Sequence, residues 1–129
     1  MTKPITEKDQ QWLDKQYSVA NRYLATKGLE VRQVIDKESH YYTPLFAIGK
    51  CRLSDDSLIW LICGEVPIDH SNASVALTPR EAIRHFASKW QLQAEHLSAS
   101  SGDKQNEFAG LLVARAEQLM TFYQNDTLW

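Results

Sequence analysis

No run of apolar residues in this sequence approaches the roughly 18 that a membrane-spanning helix requires. Nor does any Lys/Arg-rich run occur. The net charge is −2, with both signs mixed along the chain, so the basic footprint of a nucleic-acid-binding protein is missing. The N-terminus, MTKPITEKDQQ, lacks the apolar segment of a signal peptide, and the expected location is the cytoplasm. Cysteine is scarce, with only Cys51 and Cys63. If Ser54 faces Ser57 across a tight Asp55-Asp56 turn, the two sulfurs lie on opposite sheet faces. They are then about three residues out of register, roughly 10 Å along the strands. That is too far for a bridge, so two free buried thiols are expected.

The signatures of cofactor and nucleophile chemistry are absent too: no G-x-S-x-G, no phosphate-binding glycine loop, no dinucleotide fingerprint. The histidines (His40, His70, His85, His96) stand in no H-x-x-x-H arrangement, and the cysteines in no C-x-x-C. His85 and His96 share a helix face but sit about 16 Å apart along it, too far to share an ion. Neither a metal nor a cofactor is expected.

What is present describes a globular protein. At 129 residues, 43% hydrophobic and 23% charged, the chain suits one domain spanning 1–129. Thr6-Glu7-Lys8-Asp9 opens a first helix with a hydroxyl cap and early acids. Trp12, Leu13, Tyr17, Ala20, Tyr23 and Leu24 form its apolar face, and Lys27-Gly28 ends it. Residues 29–36 suit an edge strand, followed by a polar loop over 37–43. Strands over 44–53 and 58–66 then form a hairpin. In the register assumed above, Leu45, Ala47, Cys51, Leu53, Leu58, Trp60 and Ile62 make a wholly apolar face. Phe46, Ile48, Ile59, Leu61 and Cys63 share the other face with Lys50, Arg52 and Glu65, which leaves it half apolar. A long loop covers 67–74.

Thr78, Pro79 and Glu81 form the clearest helix start in the chain, a capping box with proline in the first helical position. Ile83, Phe86, Ala87, Trp90, Ala94 and Leu97 make the stripe of that helix, with Leu92 on the opposite side. SASSGD, 98–103, breaks it. A last helix over 104–125 is expected to bury Phe108, Leu111, Leu112, Leu119 and Phe122, with Arg115 inside the same stripe. The tail ends on Trp129, an aromatic that should dock. The expected fold is α+β, a three-stranded antiparallel meander packed with three helices in the order α-β-β-β-α-α.

Side chains able to carry chemistry gather after the third strand. Glu65, Asp69 and His70 lie in one connection, with Arg80 at the next helix start. Carboxylates beside a histidine can act as acid and base or bind a metal. Their spacing matches no known catalytic pattern, however, and an aspartate after Pro67 commonly accepts backbone N–H bonds to shape a turn. A helix N-terminus with Arg80 could hold an anion, as many helix starts could. Arg115, placed among leucines, calls for acceptors, and Glu65, Asp69 or Glu81 are the carboxylates expected to supply them.

The series Trp60-x-x-x-Gly64-Glu65-x-Pro67-x-Asp69, followed by Pro79-Arg80-Glu81-Ala82-Ile83-Arg84-His85-Phe86 and Trp90-Gln91-Leu92-Gln93-Ala94, resembles a family of small uncharacterised bacterial proteins, a domain of unknown function. The resemblance implies a short, stand-alone bacterial cytoplasmic protein. It brings no activity, substrate or catalytic residue with it.

From the residues themselves, the function is not legible. The leading expectation is a non-enzymatic interaction or regulatory module, a homodimer joined through the half-apolar sheet face or a binder of another protein. The alternative is a small-molecule-binding protein or modest hydrolase. It would use Glu65, Asp69, His70, Arg80 and Arg115 as ligand-binding groups.

Overall fold

The computed structural model describes residues 6–98 and 102–129. The first five residues and the middle of the 98–103 linker lie outside the described residues. The chain divides into two compact units, Met1–Ser74 and Val75–Trp129.

The first unit begins with α1, Glu7–Ala25. The Thr6 hydroxyl accepts the Asp9 N–H at 3.1 Å, so the expected cap is present. The helix ends as Lys27-Gly28 suggested. Gly28 has φ +73°, Leu29 N–H donates to the Leu24 carbonyl at 3.0 Å, and Gly28 N–H to Ala25 at 3.0 Å. Those two bonds define a Schellman cap with glycine in its left-handed position.

Four strands follow, not three: β1 (Val31–Tyr42), β2 (Phe46–Leu53), β3 (Leu58–Gly64) and β4 (Asp69–Asn72). They form one antiparallel sheet in the order β1-β2-β3-β4. The chain order is therefore α-β-β-β-β-α-α. The added strand, β4, carries Asp69, His70, Ser71 and Asn72, a polar sheet-edge sequence with no apolar alternation to announce it. The expected loop over 37–43 is also strand in large part. Pairing passes from Ile35↔Lys50 directly to Ser39↔Gly49, so Asp36, Lys37 and Glu38 bulge out while His40, Tyr41 and Tyr42 rejoin the ladder. The Ser39 hydroxyl closes the bulge by donating to the Ile35 carbonyl at 2.8 Å. Within it, Glu38 reaches Lys50 at 3.3 Å.

The β2–β3 register differs from expectation by one residue. Leu53 N–H donates to the Ser57 carbonyl and Asp56 N–H to the Leu53 carbonyl, each at 2.9 Å, so the loop holds Ser54, Asp55 and Asp56. Asp56 has φ +69°, the left-handed residue that follows a type I turn in a three-residue hairpin. Adding one residue to the loop moves every β3 side chain to the other face. Cys51 consequently faces Ile59 and Cys63 faces Ala47. The thiols share one face instead of lying on opposite ones, about four residues or roughly 13 Å apart along the strands. Both remain free and buried, and burial pushes each thiol up to about 12.

That face is the core under α1: Ala47, Cys51, Leu53, Ile59, Leu61 and Cys63 cluster with Leu13, Ala20 and Leu24. On the reverse face Phe46, Ile48, Trp60 and Ile62 are fully buried. The half-apolar sheet face expected to join two subunits is therefore not open. Phe46, Ile48, Ile59 and Leu61 are all buried within one chain, Ile59 and Leu61 under a helix of that same chain.

The second unit is a helical hairpin, α2 (Pro79–Ser98) and α3 (Asp103–Gln124), closed by a short turn over Asp126–Leu128. The capping box forms. Thr78 accepts the Glu81 N–H at 3.1 Å, and Glu81 reaches back to the N–H of Leu77 at 3.2 Å, one residue earlier than the usual partner. The buried side of α3 is rotated from the expected stripe. Ala109, Leu112, Ala116 and Leu119 are inside, whereas Phe108 and Leu111 are each 41% exposed. In α2 the buried residues are Ala82, Ile83, Phe86, Ala87, Trp90 and Ala94, so alanines alternate with bulky side chains there. No helix among the described residues is long and apolar enough to cross a membrane.

Gly64 ends β3 with φ +124°, and a Cβ there would sit 2.7 Å from both the Leu45 carbonyl oxygen and the Phe46 Cα. The Glu65 N–H bond to Leu45 at 2.8 Å holds the backbones at that distance. Gly64→Ala should therefore cost about 1–3 kcal/mol in urea denaturation. An unchanged midpoint would show that the two strand ends can separate without loss.

Candidate functional site

Of the side chains singled out in the sequence, Asp69 and His70 come together around a residue not suspected there, Tyr23. The Tyr23 hydroxyl lies 3.2 Å from His70 Nδ1, and the rings meet edge to face at 5.8 Å. The Asp69 carboxylate accepts the His70 backbone N–H at 2.8 Å, the backbone-shaping role expected of it. Burial, and then the nearby Asp69 charge, raise the Tyr23 hydroxyl above its ordinary value. The Tyr23 hydroxyl and His70 Nδ1 share a hydrogen bond whose direction follows the imidazole tautomer. Lys27 completes the group, its ammonium 5.1 Å from the Tyr23 ring centre. Tyr23 was assigned to the apolar face of α1. Its partner lies 47 residues further on, in a strand that had no sequence signature.

The group joins the C-terminal end of α1 to the edge strand β4. A tyrosine with a raised hydroxyl is a poor base at neutral pH, so the arrangement favours holding over proton transfer. Glu65, in the connection before β4, is exposed, and its backbone, not its carboxylate, makes the bond to Leu45.

Arg80 and Arg115 belong to the helical unit. Arg80 Nε donates to the Tyr123 carbonyl at 2.9 Å and Nη2 to Asp126 at 2.6 Å, with the guanidinium 5.4 Å from the Tyr123 ring. Trp129 docks at the same end of α3, its indole N–H donating to the Phe122 carbonyl at 2.9 Å. The last carbonyls of a helix have no partner within it and carry partial negative charge. Arg80 and Trp129 supply those partners, and Arg80 is an end cap for α3. Arg115 does not meet the carboxylate expected of it. It is half-buried, and its contact is Gln118 of the same helix at 3.5 Å. Among the described residues, no group of three His, Cys, Asp or Glu side chains is placed to hold a metal ion.

A family model matches residues 6–129, almost the whole chain. The protein belongs to the family Domain of unknown function (DUF4826). The match covers both compact units, so the four-stranded sheet and the helical hairpin fall within one family domain definition. No curated protein and no solved structure matches the chain.

Two substitutions test the assigned roles. Tyr23→Phe keeps the ring and removes the hydrogen bond to His70, and should lower stability by about 1 kcal/mol. A variant as stable as the parent would mean that water serves His70 equally well. Arg80→Met should free the end of α3, seen as faster amide exchange over residues 122–129 with α2 still protected. Asp126 is 89% exposed, so raising salt in the parent should reproduce little of this effect. Exchange as slow as in the parent would show that Arg80 does not cap α3.

Proposed function

We propose that the protein is a non-enzymatic interaction module that works as a homodimer, with its contact surface on the helical unit. One observation supports this reading. The large hydrophobic residues exposed among the described residues are Val75, Leu77, Leu92, Phe108, Leu111 and Val113, and all six belong to the unit that starts at Val75. The described residues of the sheet-bearing unit include none. Scattered apolar side chains on a surface need no explanation, but their confinement to one part of a small protein marks an interaction surface. Three of the five polar groups of the alternative, ligand-binding reading have local structural tasks: Asp69 and His70 brace β4, and Arg80 caps α3.

Sedimentation velocity from low to high micromolar concentration tests the proposal. A dimer at the upper end, dissociating on dilution, is the expected result. A protein that remains monomeric throughout would sink the homodimer. A bound small molecule released on denaturation would instead favour the ligand-binding alternative.

A further inference from the structure

Helix α3 contains Phe108-Ala109-Gly110-Leu111-Leu112-Val113-Ala114, seven consecutive residues without a polar side chain. At 3.6 residues per turn such a run is apolar all the way round the helix, a pattern that belongs to a helix covered on every side. Here only Ala109 and Leu112 are buried. Phe108, Leu111 and Val113 stand 40–41% exposed, Gly110 and Ala114 are exposed, and a Cβ on Gly110 would meet nothing within 4 Å. Among the described residues, the side of α3 that carries Phe108, Leu111 and Ala114 is exposed, and Val113 is exposed on the opposite flank.

The charges beside the run indicate what covers it. Glu107, Leu111 and Arg115 follow one another at intervals of four, along one side of the helix, with Leu111 in the middle. Neither Glu107 nor Arg115 forms an ion pair among the described residues, and Arg115 holds only the long contact to Gln118. The pattern is self-complementary. When a second α3 runs antiparallel about a two-fold axis at Leu111, Glu107 of each copy comes level with Arg115 of the other. The two ion pairs then stand about 6 Å either side of the central leucines, from a rise of about 1.5 Å per residue. At an axis separation of about 8–10 Å, side chains in these positions are within reach of one another. A parallel pairing would set Glu107 against Glu107 and Arg115 against Arg115, which repel.

We infer that the occupant of this face is α3 of a second copy of the chain, packed antiparallel, with Leu111 on the two-fold axis and reciprocal Glu107–Arg115 ion pairs. The inference rests on the homodimer proposed above and specifies its interface. It is an isologous contact, in which one patch meets itself. Gly110 and Ala114, beside Leu111, allow the two backbones to come close.

The test is a charge exchange in the full chain, read by sedimentation velocity. Glu107→Arg and Arg115→Glu should each weaken dimerisation by about tenfold or more, because each sets like charges against one another at two symmetric places. The double variant Glu107→Arg/Arg115→Glu should dimerise about as well as the parent, since both pairs re-form with their signs reversed. Leu111→Arg should abolish the dimer. Because these residues are exposed or half-buried, the fold should survive, and an unchanged thermal midpoint of the monomeric fraction confirms that. A monomeric parent overturns this interface and the homodimer together. A parent dimer that is indifferent to Leu111→Arg, or a double variant no better than the single ones, overturns the α3 pairing alone and leaves the homodimer to another surface.

Discussion

The loop of Ser54, Asp55 and Asp56 sets which side chains of β3 enter the core beneath α1. Because side chains alternate along a strand, a loop of two residues in place of three would move Trp60 and Ile62 under the helix and turn Ile59, Leu61 and Cys63 away from it. The turn is correspondingly well held. Asp56 takes the left-handed backbone that aspartate tolerates, and its carboxylate pairs with Arg32 at 3.0 Å. Asp55 accepts the Ser57 N–H at 3.0 Å, and that residue's hydroxyl and amide hold its carboxyl below the usual carboxylate range. Both aspartates are solvent-exposed. Their contribution is to make one register cheaper than its neighbour, not to add a large energy.

With the register fixed, the central strands become apolar on both sides, which is uncommon for an antiparallel meander. Lys50 shows how a charge is accommodated in such a strand. Its ammonium lies 5.5 Å from the Trp60 ring centre and 3.3 Å from Glu38, which the bulge in β1 carries towards it. Three residues leave the ladder at that bulge, and one of them returns a carboxylate to a lysine that is only 17% exposed. An irregularity in an edge strand thus serves a charge in its neighbour, and it also interrupts an edge that would otherwise offer a long row of free backbone groups.

Local signals in the sequence were reliable and pairings across the chain were not. The Thr6 cap, the Gly28 terminus, the Thr78–Glu81 box, the two central strands and the docking of Trp129 could all be read, because each depends on a few adjacent residues or a simple period. The register could not, since it turns on one backbone angle at Asp56, and the Asp55-Asp56 dipeptide is compatible with either loop length. β4 was hidden because an edge strand of four polar residues needs only a neighbour to pair with. At the site, Asp69 and His70 were legible as a polar pair, while Tyr23 was not, because an amphipathic tyrosine on a helix fits an apolar face equally well. On α3, counting large side chains placed Phe108 and Leu111 inside. The structure gives that side to Ala109 and Ala116, whose small size escapes a search for bulky residues.

That rotation changes the meaning of Arg115. Read within a buried leucine stripe, the guanidinium demanded a carboxylate from elsewhere in the chain, because a buried unpaired charge is costly. On the half-exposed flank, water meets part of that demand and its long stem lies against apolar neighbours. The described ion pairs each brace something local: Arg32 the hairpin turn, Lys50 the bulge, Arg80 the end of α3. Arg115 has only a glutamine one turn away, among residues whose apolar surface faces water without any gain in stability. Surface of that kind is a hazard to a monomer and an asset to an associating protein. In the proposed reading, the apolar run supplies the contact area and Glu107 with Arg115 supplies the direction. Polar selection and apolar area then come from a single side of one helix, without any part for the Tyr23–His70 pair.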